Sequence, residues 1–328
     1  MKSPLRHIAL KALGSALLLT LLSGSALAAY PERAIHLIVP FAPGGNADIV
    51  GRLVGQGMSQ SLGQPVVVDN KAGAGGGVGA VQVAHAAPDG YTLLSGSNGP
   101  LTVNPFIQLN PGYDPLKDFA PIGLTSNVPH AIIVTPGLAA KTVNELIALS
   151  KRGQITIATS GIGSATHLTL ALFTAKTGAN LLHVPYKGGG DLLPNVMGGQ
   201  VQGAMTEFSA ALPLHKAGKV RFIAIASAKR SELASEVPTM IESGVKDFTA
   251  GSYIGVLAPT GVSVDIVSKL QAALIAALRL PVTLERFKEI GAELASPEQQ
   301  TAAGFSAFIK QDYENSREAA RIADLKKE

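Results

Sequence analysis

Short apolar runs alternate with stretches of helical period along most of the chain. Ile35 to Val39 has the pattern of a short buried strand, and Asp48 to Leu62 has helical period. Val66 to Asp69 (strand), Val78 to Ala86 (helix) and Tyr91 to Leu94 (strand) follow. A second series opens with Ala131 to Val134 (strand) and Val143 to Lys151 (helix). It continues through Ile155 to Ala158, Ala165 to Thr177, Leu181 to Val184, Leu192 to Met197, Val201 to Met205 and Val220 to Ala226. Such alternation argues for an α/β fold of parallel sheets covered by helices on both faces.

Between the two series, residues 109 to 127 carry three prolines and interrupt the rhythm. Two alternating blocks predict two lobes, in line with a chain longer than one core usually organises. After Ser227 the sequence turns polar, then the strand-like Tyr253 to Leu257 precedes three helical segments. We expect those helices to return to the first lobe, so that two crossovers form a hinge.

The N-terminus changes the picture of compartment and charge. Lys2, Arg6 and Lys11 precede the apolar run Ala12 to Leu22, and Ala26-Leu27-Ala28 is a small-residue cleavage site. The run is about half the ~20 residues a bilayer span needs. A signal peptide over residues 1–28 is therefore expected, with an exported protein starting near Ala29. Of the 27 Lys and Arg, those three lie in the leader, leaving 24 against 23 acidic residues, a net of +1. Scattered charge and 5% aromatics do not form the basic, stacking surface of a nucleic-acid binder. The chain has no cysteine, which removes a lipoprotein anchor, a disulfide framework, a thiol nucleophile and cysteine-ligated metal.

Three glycine-bearing turns could carry chemistry. Pro40-Phe41-Ala42-Pro43-Gly44-Gly45-Asn46-Ala47-Asp48 lies between a strand and a helix, at the sheet edge where open α/β folds bind ligands. Its glycines permit close approach, and the helix start offers N–H groups and partial positive charge to an anion. An ordinary turn with Asp48 serving the helix N-terminus is the plainer alternative. Thr159-Ser160-Gly161-Ile162-Gly163-Ser164-Ala165-Thr166-His167 repeats the design in the second lobe, with Ser164 and Thr166 as hydroxyl donors. It lacks the Gly-Lys-Ser/Thr of a phosphate-cradling P-loop. A first-turn His167 is more often a structural hydrogen-bonder than a ligand or base.

The third turn, Gly73 to Ala80, matches a relaxed dinucleotide fingerprint as Gly75-x-Gly77-x-x-Ala80. The acid expected on the next strand is missing from Tyr91 to Asn98, so a structural loop flanking the cleft is preferred to NAD binding. No Gly-x-Ser-x-Gly elbow is present, and the seven histidines show no His-Glu-x-x-His spacing. No catalytic residue, metal or cofactor is expected.

Taken in order, the segments resemble the Bug, or TctC-like, family of periplasmic binding proteins of tripartite tricarboxylate transporters. The resemblance runs through Tyr30-Pro31, Ile38-Val39-Pro40-Phe41, Gly44-Gly45-x-x-Asp48, Val68-Asp69-Asn70-Lys71 and Pro88-Asp89-Gly90-Tyr91-Thr92-Leu93-Leu94. It continues with Gly163-Ser164-x-x-His167-Leu168, Val184-Pro185-Tyr186-Lys187-Gly188, Gly198-Gly199-Gln200-Val201 and Ala217-Gly218-Lys219-Val220-Arg221. Val237-Pro238-Thr239 and Leu257-Ala258-Pro259 complete it. It implies two Rossmann-like lobes of the type II periplasmic binding protein kind with a cleft between them, a Venus-flytrap arrangement. Lobe 1 would comprise 29–126 plus 249–328, with the C-terminal helices packing on it, and lobe 2 would comprise 127–248.

The resemblance further implies a ligand carboxylate held between the loops at 41–48 and 163–167, largely by backbone groups and bridging waters. Neither loop holds an arginine, the usual bidentate partner of a carboxylate. Expected ligand-binding residues are Phe41, Ala42, Pro43, Gly44, Gly45, Asp48, Gly163, Ser164, Ala165, Thr166 and His167. Ser97, Asn98, Thr206 and Glu207 join them by strand-end position and alignment. An inward-pointing Asp48 would favour a ligand bearing a donor.

Two departures stand out. Met205-Thr206-Glu207 occupies the place of a common family aspartate, and the chain has no tryptophan near Phe248 to Tyr253. The implied protein is a monomeric, periplasmic carboxylate-capturing component, with no stable membrane insertion, that delivers its ligand to membrane transporter subunits. A sensor presenting the same liganded form to a signalling receptor is the alternative reading, and a periplasmic hydrolase ranks below both.

Overall fold

The computed structural model describes residues 30–327. The expected signal peptide lies outside the described residues. Among those described, no single helix is long and apolar enough to cross a membrane.

The first lobe grows from three parallel strands. β1 (Ile35–Val39) buries every side chain but His36, and sits between β2 (Val66–Asn70) and β3 (Thr92–Gly96). Helix α1 (Asn46–Leu62) links β1 to β2 and ends where Gly63 takes a left-handed conformation, φ 69°, that glycine adopts without strain. Helix α2 (Gly77–Ala84) leads to β3, after which a helical turn at Gly99–Val103 and the short α3 (Asn104–Ile107) follow. The second lobe repeats the scheme with α4 (Val143–Arg152), β5 (Ile155–Thr159), α5 (Ala165–Thr177), β6 (Leu181–Pro185) and α6 (Gly189–Met197). Then come β7 (Gly203–Glu207), α7 (Phe208–Lys216) and β8 (Arg221–Ile225).

One strand belongs to both lobes. β4 (Phe119–Val134) runs 16 residues through the proline-rich region that interrupted the sequence pattern. Its first part pairs antiparallel with β9 (Gly251–Pro259), and its end pairs antiparallel with β7 and β8. Proline lacks a ladder donor, and sheets admit it at edges and bulges. The β4–β9 register accordingly slips just after Pro121 and again between Leu124 and Ser126. The strand order is β2-β1-β3-β9-β4-β7-β5-β6, with β8 on β4. The sheet is mixed: β1–β3 and β5–β7 contacts are parallel, as the alternation predicted, but the two central strands run antiparallel to their neighbours.

Two stretches join the lobes, β4 itself and the chain from Ala226 to Gly251. At their crossing the backbone of His130 ties both together: its N–H donates to Ala250 O (2.9 Å) and its carbonyl accepts from Ala226 N (2.7 Å). The C-terminal segment forms α8 (Val264–Leu278), α9 (Pro281–Ile290), the two-residue β10 (Glu293–Leu294) on β4, and α10 (Ala302–Ile322). Helix α8 packs on α1, where Gly57 meets Ala277. The other two also reach across, α9 to α7 and α10 to α5. Residues of both lobes, from Ile35 and Val39 to Ala204 and Phe208, share one buried apolar cluster.

Candidate functional site

The sequence places a glycine-rich turn before α1 and another before α5, and the fold brings them face to face. Ser164 caps α5: its Oγ accepts from the His167 N–H at 3.2 Å. Such a cap contributes about 1 kcal/mol. The α1 start has no side-chain cap at Gly45. The loop before it is held instead by Asp48, whose carboxylate accepts from Gly44 N (3.0 Å), Asn70 Nδ2 (2.9 Å) and Arg52. Asn70 also donates to Phe41 O. Burial alone would raise the Asp48 carboxyl, but these hydrogen bonds and the Arg52 charge hold it below the usual range.

Between the helix starts lies a narrow cavity of about 20 Å³, room for roughly one water. Phe41, Gly45, Asn46, Ala47 and Ser97 line it from lobe 1. Ser160, Ser164, Ala165, Gly189 and Glu207 line it from lobe 2, with Ser252 and Ile254 of β9 at its floor. In the first turns of the two helices the N–H groups of Asn46, Ala47, Ala165 and Thr166 have no intrahelical partner by position, and the helix dipoles add partial positive charge. No arginine or lysine is in this lining. The arrangement suits a small anion held by backbone dipoles and hydroxyls.

The lobes touch around this cavity. Ala42 N donates to Lys187 O at 3.0 Å, and Ser209 Oγ donates to Asn46 Oδ1 at 2.9 Å. Gly45 lies against Gly189 and Gly190, so closely that a Cβ built on Gly190 would collide with the Pro43 carbonyl oxygen. Gly75, in the third glycine turn, is equally tight against Ile162–Ser164, which makes that turn a contact between the lobes.

Of the expected residues, Phe41, Gly45, Ser97, Ser164, Ala165 and Glu207 line the cavity. Ala42, Pro43, Gly44 and Gly163 shape the surrounding loops instead. Asp48 does not line it, because its carboxylate is committed to the loop behind. Thr166 Oγ1 accepts from Ser160 N (2.9 Å), and His167 Nδ1 accepts from Gly163 N (3.3 Å), so both brace their own turn. The His167 ring stacks on His183 at 4.2 Å, and burial pushes it down to about 3. Thr206 supports Glu207 from the side, while Asn98 donates to Gly251 O and lines a separate groove by the crossovers.

Asn46, Ala47 and Ser160 sit inside the turns that sequence patterning marked, though not among the expected contacts. Gly189 follows the Tyr186-Lys187-Gly188 motif. Ser252 lies in the Phe248 to Tyr253 segment that the resemblance placed at the cleft border, whereas Ile254 sits in a continuously buried run with no alternation to mark which face meets the cleft.

Residues 50–323 match the family model TctC, the tripartite tricarboxylate transporter family receptor. The protein BugT of Bordetella pertussis is 38% identical over 275 residues, covering 82% of this chain and 84% of BugT. The solved structure of the periplasmic binding protein BugD superposes with a TM-score of 0.88 at 38% identity, over 91% of this chain and 100% of that one. R. palustris Rpa4515 with adipate superposes at 0.87 and 31% identity, over 91% of this chain and 100% of that one. By sequence and fold alike, the chain belongs to the TctC family and is a Bug-type periplasmic solute-binding protein.

Proposed function

We propose that this protein captures a small carboxylate between its lobes and delivers it to the membrane subunits of a tripartite transporter. The observation that carries the reading is the convergence of two uncapped or hydroxyl-capped helix starts on one cavity without a basic side chain. The ligand carboxylate bridges the N–H groups at Asn46–Ala47 and Ala165, directly or through waters, which serve nearly as well as direct bonds. Rpa4515, whose solved structure is with adipate, shares the fold and supports a carboxylate as ligand.

A ligand of several heavy atoms needs more room than the cavity offers, so the lobes part to admit it. Our division places 29–126 and 249–328 in one rigid unit and 127–248 in the other. The motion is then a hinge at β4 near His130 and at the Ala226–Gly251 stretch, as in other two-lobe binding proteins. The closed face, assembled from both lobes, is what the transporter reads.

The test is thermal unfolding of ligand-stripped protein against small carboxylates and their amides. A ligand at ~100 times its Kd adds roughly 2.7 kcal/mol, several degrees for a protein of this size. One acid raising the midpoint, with its amide inert and the acid recovered unchanged, is the expected result. A midpoint moved only by neutral or phosphorylated compounds overturns the carboxylate assignment.

A further inference from the structure

Glu207 is the one ionisable side chain among the residues lining the cavity. It closes β7, and its Oε2 lies just beneath the Gly45–Gly189 contact between the lobes. Its bonding differs from that of Asp48. Asp48 has an arginine and several bonds of 2.9–3.1 Å, whereas Glu207 has two long ones, from Ser252 Oγ at 3.2 Å and Thr206 Oγ1 at 3.4 Å. An ionised carboxylate has about four lone-pair sites to satisfy. These two weak donors and its own backbone N–H leave part of that capacity to whatever shares the cavity.

The neighbouring hydrogen-bond chain is compatible with the ionised form. Ser252 Oγ lies 2.7 Å from His130 Nε2, and His130 Nδ1 lies 2.8 Å from Thr169 Oγ1. With a proton on Nε2, the fully buried His130 donates to Ser252, accepts from Thr169, and leaves the Ser252 hydroxyl to donate to Glu207. Every polar atom in the chain is then used. The groups facing Glu207 are thus Thr206 on its own strand, Ser252 on β9 with His130 on β4 behind it, and the Gly189 turn of α6. None is a cation.

The cavity therefore has polarity: helix starts suited to an anion on one side and an underbonded carboxylate on the other. Resting on the carboxylate reading above, we propose that Glu207 selects ligands carrying an ammonium group beside the carboxylate, that is, amino acids over their des-amino counterparts. An ammonium forms a charge-assisted bond to the carboxylate, about twice as strong as a neutral one. A second ligand carboxylate brought to the same place must either repel Glu207 or take up a proton. Burial pushes the Glu207 carboxyl up, with its own backbone N–H and then the Ser252 and Thr206 hydroxyls working the other way, and a bound cation opposes that push.

The experiment is calorimetric titration at pH 7.5 with matched pairs: L-alanine and propanoate, L-aspartate and butanedioate, L-glutamate and pentanedioate. In the native protein the amino acid of at least one pair binds tenfold or more tightly than its partner. In E207Q that preference falls at least tenfold, while the des-amino acid holds or gains. The comparison within native protein stands on its own should E207Q fail to fold. Binding enthalpies in buffers of different ionisation heat add a second readout, with proton uptake on binding the diacids and none on binding the amino acids. If a des-amino acid binds as tightly as or tighter than its amino acid, and E207Q weakens both alike, Glu207 is not the selector, although carboxylate capture stands. If no member of any pair binds, the amino-acid proposal falls, and the wider thermal panel of carboxylates and amides decides the carboxylate reading separately.

Discussion

Asp48 accepts from Gly44, Asn70 and, through two nitrogens, Arg52, and so stitches the Phe41–Asp48 loop to β2. Replacing it with Asn keeps the size but turns one oxygen into a donor facing the donors of Arg52 and Asn70. We expect D48N to lose about 1–3 kcal/mol of stability, as for a broken buried hydrogen-bond network. Urea unfolding measures it. Because Asp48 acts on the loop and not on the ligand, D48N weakens every bound carboxylate alike, and a change in ligand preference would contradict this. The folded carboxyl lies below its ordinary value, so its contribution is present above the unfolded pKa of about 3.9 and is lost as pH falls through the folded one. At this scale the sequence is half legible. A Gly-Gly turn between strand and helix marks the loop, but whether Asp48 or Glu207 faces the cavity depends on Arg52 and Asn70, partners whose approach only the fold decides.

The helix start at α6 shows the same dependence one level up. Gly189 and Gly190 open the helix, yet their role is set by Pro43 and Gly45 of the other lobe. Alanine is a better helix former than glycine by roughly 0.8–1.0 kcal/mol, so G190A should leave the unliganded, open protein as stable or slightly more so. In the closed form, which we take to keep this contact around a ligand, its methyl would strike the Pro43 carbonyl oxygen, backbone that cannot swing aside. We expect at least tenfold weaker binding of whichever carboxylate the thermal panel identifies, with an unchanged or higher urea midpoint. Unchanged affinity would show that closure does not require this contact. Among the elements, β1, β2, β5 and β6 were legible as short apolar runs bounded by turns. The first half of β4 was not, because Pro111, Pro115 and Pro121 together read as a loop, whereas at Pro121 the strand only shifts register. Helix α7 was hidden by Pro213, which sits inside it.

At the scale of the molecule, burial has left three histidines neutral at the lobe interface and hinge: His130 and His167 are pushed down to about 3, and His183 to about 4. Desolvation is the main cause for each, with the His183 charge adding to the effect at His167. The unfolded chain takes up protons at these sites below pH ~6.5 and the folded chain does not, so stability falls as pH drops from there towards 4. Two buried acids act in the opposite sense. Glu207 and Asp312 are raised, and between the ordinary carboxylate range and their folded values the native state holds more protons than the unfolded one. Three depressed bases against two raised acids leave a net loss on acidification, smaller than three protons would give. His130 isolates one proton of it, being fully buried and bonded at both nitrogens. In H130Q the amide can bridge Thr169 and Ser252 but cannot titrate. Its stability should therefore fall less steeply than that of the native protein between pH 6.5 and 4.5, by up to about 1.4 kcal/mol per pH unit. Urea midpoints at pH 7.5, 6.0 and 5.0 for both proteins measure the difference. Parallel slopes would mean that His130 is protonated in the folded state, and that the Ser252–Glu207 arm of the chain is held by a cation after all.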